Sequence, residues 1–390
     1  MTFWQEIARP IIGLSPMDGV TDASFRFIAA KHGRPDLILT EFVNVETAFH
    51  APHTLIKDLA YSEIERPVVA QIYGHTPEKF YQVAHIVGEL GFDGLDINMG
   101  CPAKKVAASG SGAGLILTPE LAQSIIKAAA QGIRDWFEGQ ALSDLKLHPE
   151  LVEQVRISNR QRSGRETSAQ RRPIPVSVKT RLGYDRVVVD DWIQTLLAER
   201  PAAISLHGRT LKQMYKGNAD WEAIARAAGV AKGSGTLILG NGDLQSMEDV
   251  CRRVRDTGVD GVLLGRAAQG NPWIFRAKEA VKEALRAERP LSIREDPIEL
   301  NERFRVLLEH SRLFENHWGN ATFVGMRKHL AWYCKGFRGA AELRPKMVRT
   351  NSVSDVIECL HNFTATSKPS PSLSQRGEAE GLRPEGCRLS

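Results

Sequence analysis

The feature that most constrains this chain is a grammar repeated eight times, a short apolar run followed by an amphipathic helix. The apolar runs fall at residues 10–17, 37–43, 67–73, 95–98, 175–180, 203–207, 237–241 and 261–265. Runs such as Val68-Val69-Ala70 and Leu237-Ile238-Leu239 are continuous rather than alternating, as expected of strands buried on both faces. The helices that follow carry start signals. Thr76-Pro77-Glu78 and Thr118-Pro119-Glu120 put a capping Thr before a Pro at the first helical position. Thr21-Asp22 caps a helix over 23–32 that Gly33 stops, and the helix opened by Thr118 runs to about 132. Further helices are expected over 187–199, 220–228, 246–258 and 272–286. Eight such units predict an α/β fold, the closed parallel (β/α)8 TIM barrel. An open doubly wound sheet would have fewer strands and a glycine-rich phosphate fingerprint at its first turn, which is absent.

The chain has 390 residues, more than the roughly 250 of a barrel alone. The grammar changes after Pro290. Residues 1–290 form the expected barrel domain, interrupted by an insertion at about 135–172 with no strand candidate. Its stretch from Arg156 to Arg172 is rich in Arg, Ser and Gln, and reads as a mobile inserted loop or helical excursion. Residues 296–366 show helical periodicity only, and are basic and aromatic, with Arg303, Arg305, Arg327, Lys328, Trp332 and Tyr333 among them. They form the expected small helical domain. Residues 367–390, rich in Ser, Pro and Gly, are expected to be a disordered tail.

Composition excludes several classes. No apolar run reaches the length of about 20 residues needed to span a bilayer. The start, Met1-Thr2-Phe3-Trp4-Gln5-Glu6, has no basic segment or apolar core of a signal peptide, so a cytoplasmic protein is expected. The five cysteines are scattered with no CxxC pair, which indicates neither a metal site nor a disulfide framework. A net charge of +5 permits a polyanionic partner without demanding one. A monomer is expected.

In a parallel barrel, chemistry collects at the carboxyl ends of the strands. Those ends are Pro16-Met17-Asp18, Thr40-Glu41, Gln71, Asn98-Met99-Gly100-Cys101, Lys179-Thr180-Arg181, His207-Gly208-Arg209, Asn241-Gly242-Asp243 and Gly265-Arg266. Taken singly, each has a plain structural reading. Cys101 is a small thiol closing a turn before Pro102, His207 a satisfied imidazole, Gly265 a tight turn and Arg266 a surface charge. Together they make a large polar ligand the better reading. Asn241-Gly242 and Gly265-Arg266 follow strands seven and eight, where barrels bind phosphate through backbone N–H groups. Lys179 and His207 can face a ring that carries negative charge at one edge, as a reduced flavin does.

Six motifs in this order, Ser15-Pro16-Met17-Asp18-Gly19, Asp96-Ile97-Asn98-Met99-Gly100-Cys101-Pro102, Val178-Lys179-Thr180-Arg181, His207-Gly208-Arg209-Thr210, Gly240-Asn241-Gly242-Asp243 and Gly265-Arg266, resemble the tRNA-dihydrouridine synthases, which are FMN-dependent. The likeness covers roughly residues 10 to 350, and the run Tyr215 to Trp221 shares it. The stretch at about 135–172 departs from the family's usual short connection. The resemblance implies reduction of the C5–C6 double bond of uridine in tRNA, with NADPH as reductant and a proton delivered to C5 by Cys101. It implies FMN held by Pro16, Met17, Asp18, Gln71, Lys179, His207, Asn241, Gly242, Asp243, Gly265 and Arg266. Asn98 would orient the uracil edge. Lys104, Lys105, Arg181, Arg209, Arg327 and Lys328 would grip tRNA, and no metal is implied. Two rival readings remain: an FMN-dependent dehydrogenase of a free pyrimidine, like dihydroorotate dehydrogenase, and a non-catalytic RNA-binding protein on a degenerate barrel. The basic helical domain argues against the first, and the intact set of strand ends against the second.

Overall fold

The computed structural model describes residues 2–47, 52–163, 171–293 and 297–366. Eight parallel strands close into a barrel in chain order: β1 (Ile11–Leu14), β2 (Ile38–Asn44), β3 (Val68–Tyr73), β4 (Gly94–Met99), β5 (Val176–Arg181), β6 (Ala203–His207), β7 (Leu237–Asn241) and β8 (Gly261–Leu264). Closure is made where β1 pairs with β8, from Ile11 opposite Gly261 to Leu14 opposite Leu264. In β2 the register with β3 shifts between Leu39 and Phe42, and Thr40 there accepts the Gln71 N–H at 2.9 Å.

Alternate residues on each strand point into the lumen. The lower lumen is apolar: Trp4, Ile11, Leu37, Leu39, Val69, Ala203, Leu237, Leu239 and Leu263 form one buried cluster. Trp4, on the helix Phe3–Glu6, closes this end. Higher up, the registered trio Gln71, Asp96 and Ser177 crosses β3, β4 and β5 as a polar layer. Above it the pairs Asn98–Lys179 and His207–Asn241 continue the same inward faces toward the carboxyl ends. The outward faces pack against the helices in the main core, which includes Ile12, Ala70, Ile97, Val178 and Ile204.

The stretch 272–286 is not one helix. It is a 3-10 turn, Pro272–Ala277, followed by the helix Lys278–Arg286. Trp273, Ile274 and Phe275 are consecutive and all buried, which one face of an α-helix cannot achieve. Trp273 packs with the helical domain, and Ile274 and Phe275 with the barrel.

Where it is described, the insertion is a helical excursion rather than a loop. The preceding helix continues to Phe137, because Ile133 and Trp136 extend its buried face and Trp136 Nε1 donates to Glu89 at 3.0 Å. A second helix, Pro149–Ser163, then docks on the barrel. Leu151 and Val155, four apart, are fully buried, and Asn159 one turn later donates to the Glu89 carbonyl at 2.9 Å. The Arg162 guanidinium lies 4.3 Å over the Tyr61 ring. Residues 164–170 lie outside the described ones, as does the tail 367–390.

The C-terminal region is helical: Leu300–Trp318, Arg327–Tyr333, Ala340–Met347 and Val353–Thr366, with a 3-10 turn at Asn320–Met326. Its core, with Phe304, Leu307, Phe323, Met326, Leu343 and Val356, also takes in Ile28 and Trp273 of the barrel. Lys31 and His32 pair with Glu309 across the joint at 2.5 and 3.0 Å.

Candidate active site

The carboxyl ends of the strands enclose a cavity of about 470 Å³. Of the residues expected there, Pro16, Met17, Asp18, Asn98, Cys101, Lys179, Arg181, His207, Asn241, Gly242, Asp243, Gly265 and Arg266 line it.

Cys101 sits in the turn after β4. The Asn98 side-chain oxygen accepts the N–H of Gly100 at 3.0 Å and of Cys101 at 2.8 Å, closing the turn. Arg181 clamps it from the next strand, its Nε donating to the Gly100 carbonyl at 2.7 Å. Burial pushes the Cys101 thiol above the ordinary thiol range, outweighing the Ala103 N–H and the cations Arg181 and Lys179 that favour the thiolate. A thiol held neutral is suited to giving a proton rather than to attacking a carbon.

Beside it stands a wall of positive charge. Lys179 is desolvated, and together with neighbouring Arg181 this brings its ammonium down to about 8. Its nearest hydrogen-bond acceptor is Asn241 Oδ1 at 3.4 Å, and Asn241 is oriented by donating to the Leu263 carbonyl at 2.7 Å. Burial, then the charges of Arg181 and Lys179, push His207 down to about 2, so it is neutral, and its Nδ1 is buried without a partner among the described residues. Burial also brings Arg181 down to about 10. This wall suits an anion that hydrogen-bonds to the imidazole.

At the ends of β7 and β8, Gly242 adopts φ +130°, and a Cβ there would lie 2.8 Å from the Ala219 methyl. Glycine is required here by the backbone conformation and by the close packing on Ala219. Asp243 accepts Arg209 Nη2 at 2.6 Å, Arg266 Nη2 at 2.7 Å and the Ala219 N–H at 2.7 Å. Burial opposes its ionisation, yet these donors hold its carboxyl below the usual carboxylate range. Arg266 is steadied from the other side, 5.8 Å over the Tyr215 ring. Asp243 is thus the clamp for Arg266, and the arginine faces the cavity.

Six expected residues do not line the cavity. Gln71 is fully buried just below the lining residues, its amide engaged by Asp96 and Asn98. Arg209 is 2% exposed and strapped to Asp243 and to the carbonyls of Lys216 and Gly217; it is an internal strut, not a surface grip. Lys104 and Lys105 are exposed on the short helix Lys104–Ala108, directly after the Cys101 turn. Arg327 is half-buried, donating to the Thr350 carbonyl at 2.9 Å and to Asn351 at 2.6 Å. Lys328 reaches from the helical region to the Gly19 carbonyl in the loop after β1. The sequence carried Tyr215 only as part of the run that shares the resemblance and offered neither it nor Met214 as a site residue, yet both line the cavity and are 64% and 40% exposed. An aromatic in an otherwise polar loop was the available signal.

Among the described residues, no cluster of His, Cys, Asp or Glu is placed to hold a metal ion, and no helix is long and apolar enough to cross a membrane. The family model for dihydrouridine synthase matches residues 13–135 and 166–368. The break between those segments falls on the docked helix Pro149–Ser163. A "Probable tRNA-dihydrouridine synthase" of Staphylococcus epidermidis is 32% identical over 370 residues, covering 93% of this chain and 96% of that protein. A "Probable tRNA-dihydrouridine synthase 2" of Bacillus subtilis is 32% identical over 366 residues, with the same coverage of 93% and 96%. Among solved structures, DHODH of Eimeria tenella in complex with ferulenol aligns at 13% identity and a TM-score of 0.45, covering 73% of this chain and 86% of that one, a likeness too distant to carry an argument. The chain belongs to the dihydrouridine synthase family, oxidoreductases, and builds its candidate site at the mouth of a closed parallel barrel.

Proposed function

We propose that this protein reduces the C5–C6 double bond of uridine in tRNA to 5,6-dihydrouridine, with FMN as cofactor, NADPH as reductant and Cys101 as proton donor. The observation that carries this reading is that a neutral, buried thiol and a wall of cations share one cavity. The residues fit FMN. The unpartnered Nδ1 of His207 and the desolvated Lys179 suit an anionic ring edge, and Arg266, held at the cavity wall by Asp243, suits a phosphate. Lys179 and His207 would hold the ring edge, Pro16, Met17 and Asp18 its flank, and Asn241, Gly242, Gly265 and Arg266 the phosphate. When bound, FMN supplies hydride to C6 of the uracil and takes electrons from NADPH.

The chain's own residues do the rest. As C6 is reduced, negative charge develops at C5 and on the C4 carbonyl. Cys101 gives its proton to C5 and recovers it from water. Asn98 and Arg181 hold the thiol's turn through Gly100 and Cys101. The target base must leave its stack to enter the cavity. Exposed Tyr215 at the rim offers it an aromatic face, and Lys104 and Lys105 beside the Cys101 turn offer charge to phosphates. The free-pyrimidine alternative is not favoured, since the family match continues through the helical region. A cytoplasmic location follows from a tRNA substrate.

The test incubates the full-length protein with FMN, NADPH and an unmodified tRNA transcript, then reads dihydrouridine by nucleoside mass spectrometry. Product that requires all three is expected. Turnover of free uracil at the rate of tRNA, or no product on any tRNA, contradicts the reading. Because burial raises the Cys101 thiol, product formation with FMN kept saturating should persist to a pH at which an ordinary thiol has ionised, and fall only above it.

A further inference from the structure

Gln71 and Asp96 lie one layer below the cavity lining and connect to the Cys101 turn by an unbroken chain of hydrogen bonds. Asp96 is fully buried. One carboxylate oxygen accepts from Ser177 Oγ at 2.6 Å, and the other from Gln71 Nε2 at 2.7 Å. Gln71 Oε1 accepts from Asn98 Nδ2 at 3.0 Å. Asn98 Oδ1 accepts the Gly100 and Cys101 N–H groups. The chain has a direction. A carboxylate only accepts, so Gln71 must turn its NH2 toward Asp96 and its oxygen toward Asn98. Asn98 must then turn its NH2 toward Gln71 and its oxygen toward the two backbone donors. Reading from the other end gives the same result, because Gly100 and Cys101 only donate. Neither amide can flip without facing donor against donor or acceptor against carboxylate.

Such a carboxylate is expensive to bury. Among the described residues Asp96 has no cation in hydrogen-bond contact, and burial pushes it up to about 6, with Ser177, Gln71 and the charge of Lys179 opposing the shift. An apolar side chain would fill the space at lower cost, as Leu239 and Val69 do one layer down. A buried charge in that place needs a purpose that packing does not supply.

We propose that Asp96 is a positioning residue: through Gln71 and Asn98 it fixes the turn that carries Cys101, and so sets where the thiol stands in the cavity. The claim deepens the proposed function and rests on its assignment of Cys101, but its main readout needs no RNA.

The experiment measures alkylation of Cys101 by iodoacetamide, followed by mass spectrometry on the full-length protein. Cys251 and Cys334, both buried and remote from the relay, are internal controls. Asp96→Leu removes the acceptor, and Asp96→Asn keeps one. In Asp96→Leu, Cys101 should alkylate about tenfold faster, as the turn loosens and the thiol loses its desolvation. Cys251 and Cys334 should stay as slow as in the wild type. Asp96→Asn should remain within about threefold of the wild type. Gln71→Leu should match Asp96→Leu, and the double variant should cost no more than either, because all three break one chain.

Flavin reoxidation by tRNA in pre-reduced protein should slow in the same variants, with reduction by NADPH unchanged. Wild-type Cys101 reactivity in Asp96→Leu or in Gln71→Leu overturns the proposal. So do additive effects in the double variant, or a parallel rise at all three cysteines, which would mean general loosening. Should Asp96→Leu fail to fold, Gln71→Leu alone decides by the same criterion. A protein whose Cys101 reactivity follows the relay but which makes no dihydrouridine would retain this inference and lose the proposed function.

Discussion

In the lower barrel the lumen is filled by Trp4, Ile11, Leu37, Val69, Leu239 and Leu263. Two residues further along the same strands, Val69 gives way to Gln71 and Leu239 to Asn241, and the inward positions on β4 and β5 are Asp96, Asn98, Ser177 and Lys179. The strand geometry is the same in both halves; the energetics are not. Below, each side chain leaves water for an apolar neighbour, which stabilises the fold. Above, burial disfavours the charged forms: Lys179 is brought down to about 8, His207 to about 2, and Asp96 is pushed up to about 6. The upper layer therefore costs stability that the lower layer supplies. What it offers in return is a set of preoriented donors and acceptors at the mouth.

The largest way to probe this contrast is from below. Leu239→Ala should destabilise the protein by about 2–5 kcal/mol, read as a lower urea midpoint. Flavin and tRNA affinity should be unchanged below the transition; loss of affinity at full stability would break the division of labour. Lys179→Met does the reverse. The flavin-free protein should be no less stable, because a desolvated ammonium has gone, while FMN affinity falls about tenfold to a hundredfold. A destabilised variant with normal FMN affinity would make Lys179 structural.

The same group sets a pH dependence. Free Lys179 loses its proton near 8, and an anionic ligand binds the protonated form. Above that pH, FMN binding must take up a proton, so affinity should fall by up to about tenfold per pH unit. In Lys179→Met this slope should vanish, and a retained slope would point to another group. The smallest effect belongs to the rim. Lys104→Ala and Lys105→Ala should leave FMN binding untouched and each lower the salt slope of tRNA affinity by about one. An unchanged slope would put tRNA elsewhere.

The barrel was legible because its signals are local. Apolar runs, Thr-Pro helix starts and polar strand ends each occupy a few neighbouring residues. Height within the barrel was not. Gln71 and Lys179 both face inward, but only the register places Gln71 a layer below the cavity, opposite Asp96. Arg209 follows His207 in a loop that folds back onto Asp243, a partner 34 residues away that no local pattern encodes. The insertion escaped for a similar reason: Asn159 docks on the Glu89 carbonyl, 70 residues distant. Asp243 stands where its strand end put it, at the cavity, but its partners make it the holder of Arg266.

The central claim is that Cys101 supplies the proton at the mouth of this barrel. It is tested most directly by mixing tRNA with pre-reduced protein and following flavin reoxidation in a single turnover, wild type against Cys101→Ala. The account predicts a rate lower by about 10²–10⁴-fold in the variant, with FMN content, tRNA affinity and reduction by NADPH unchanged. Reoxidation at the wild-type rate, with dihydrouridine formed, would contradict it.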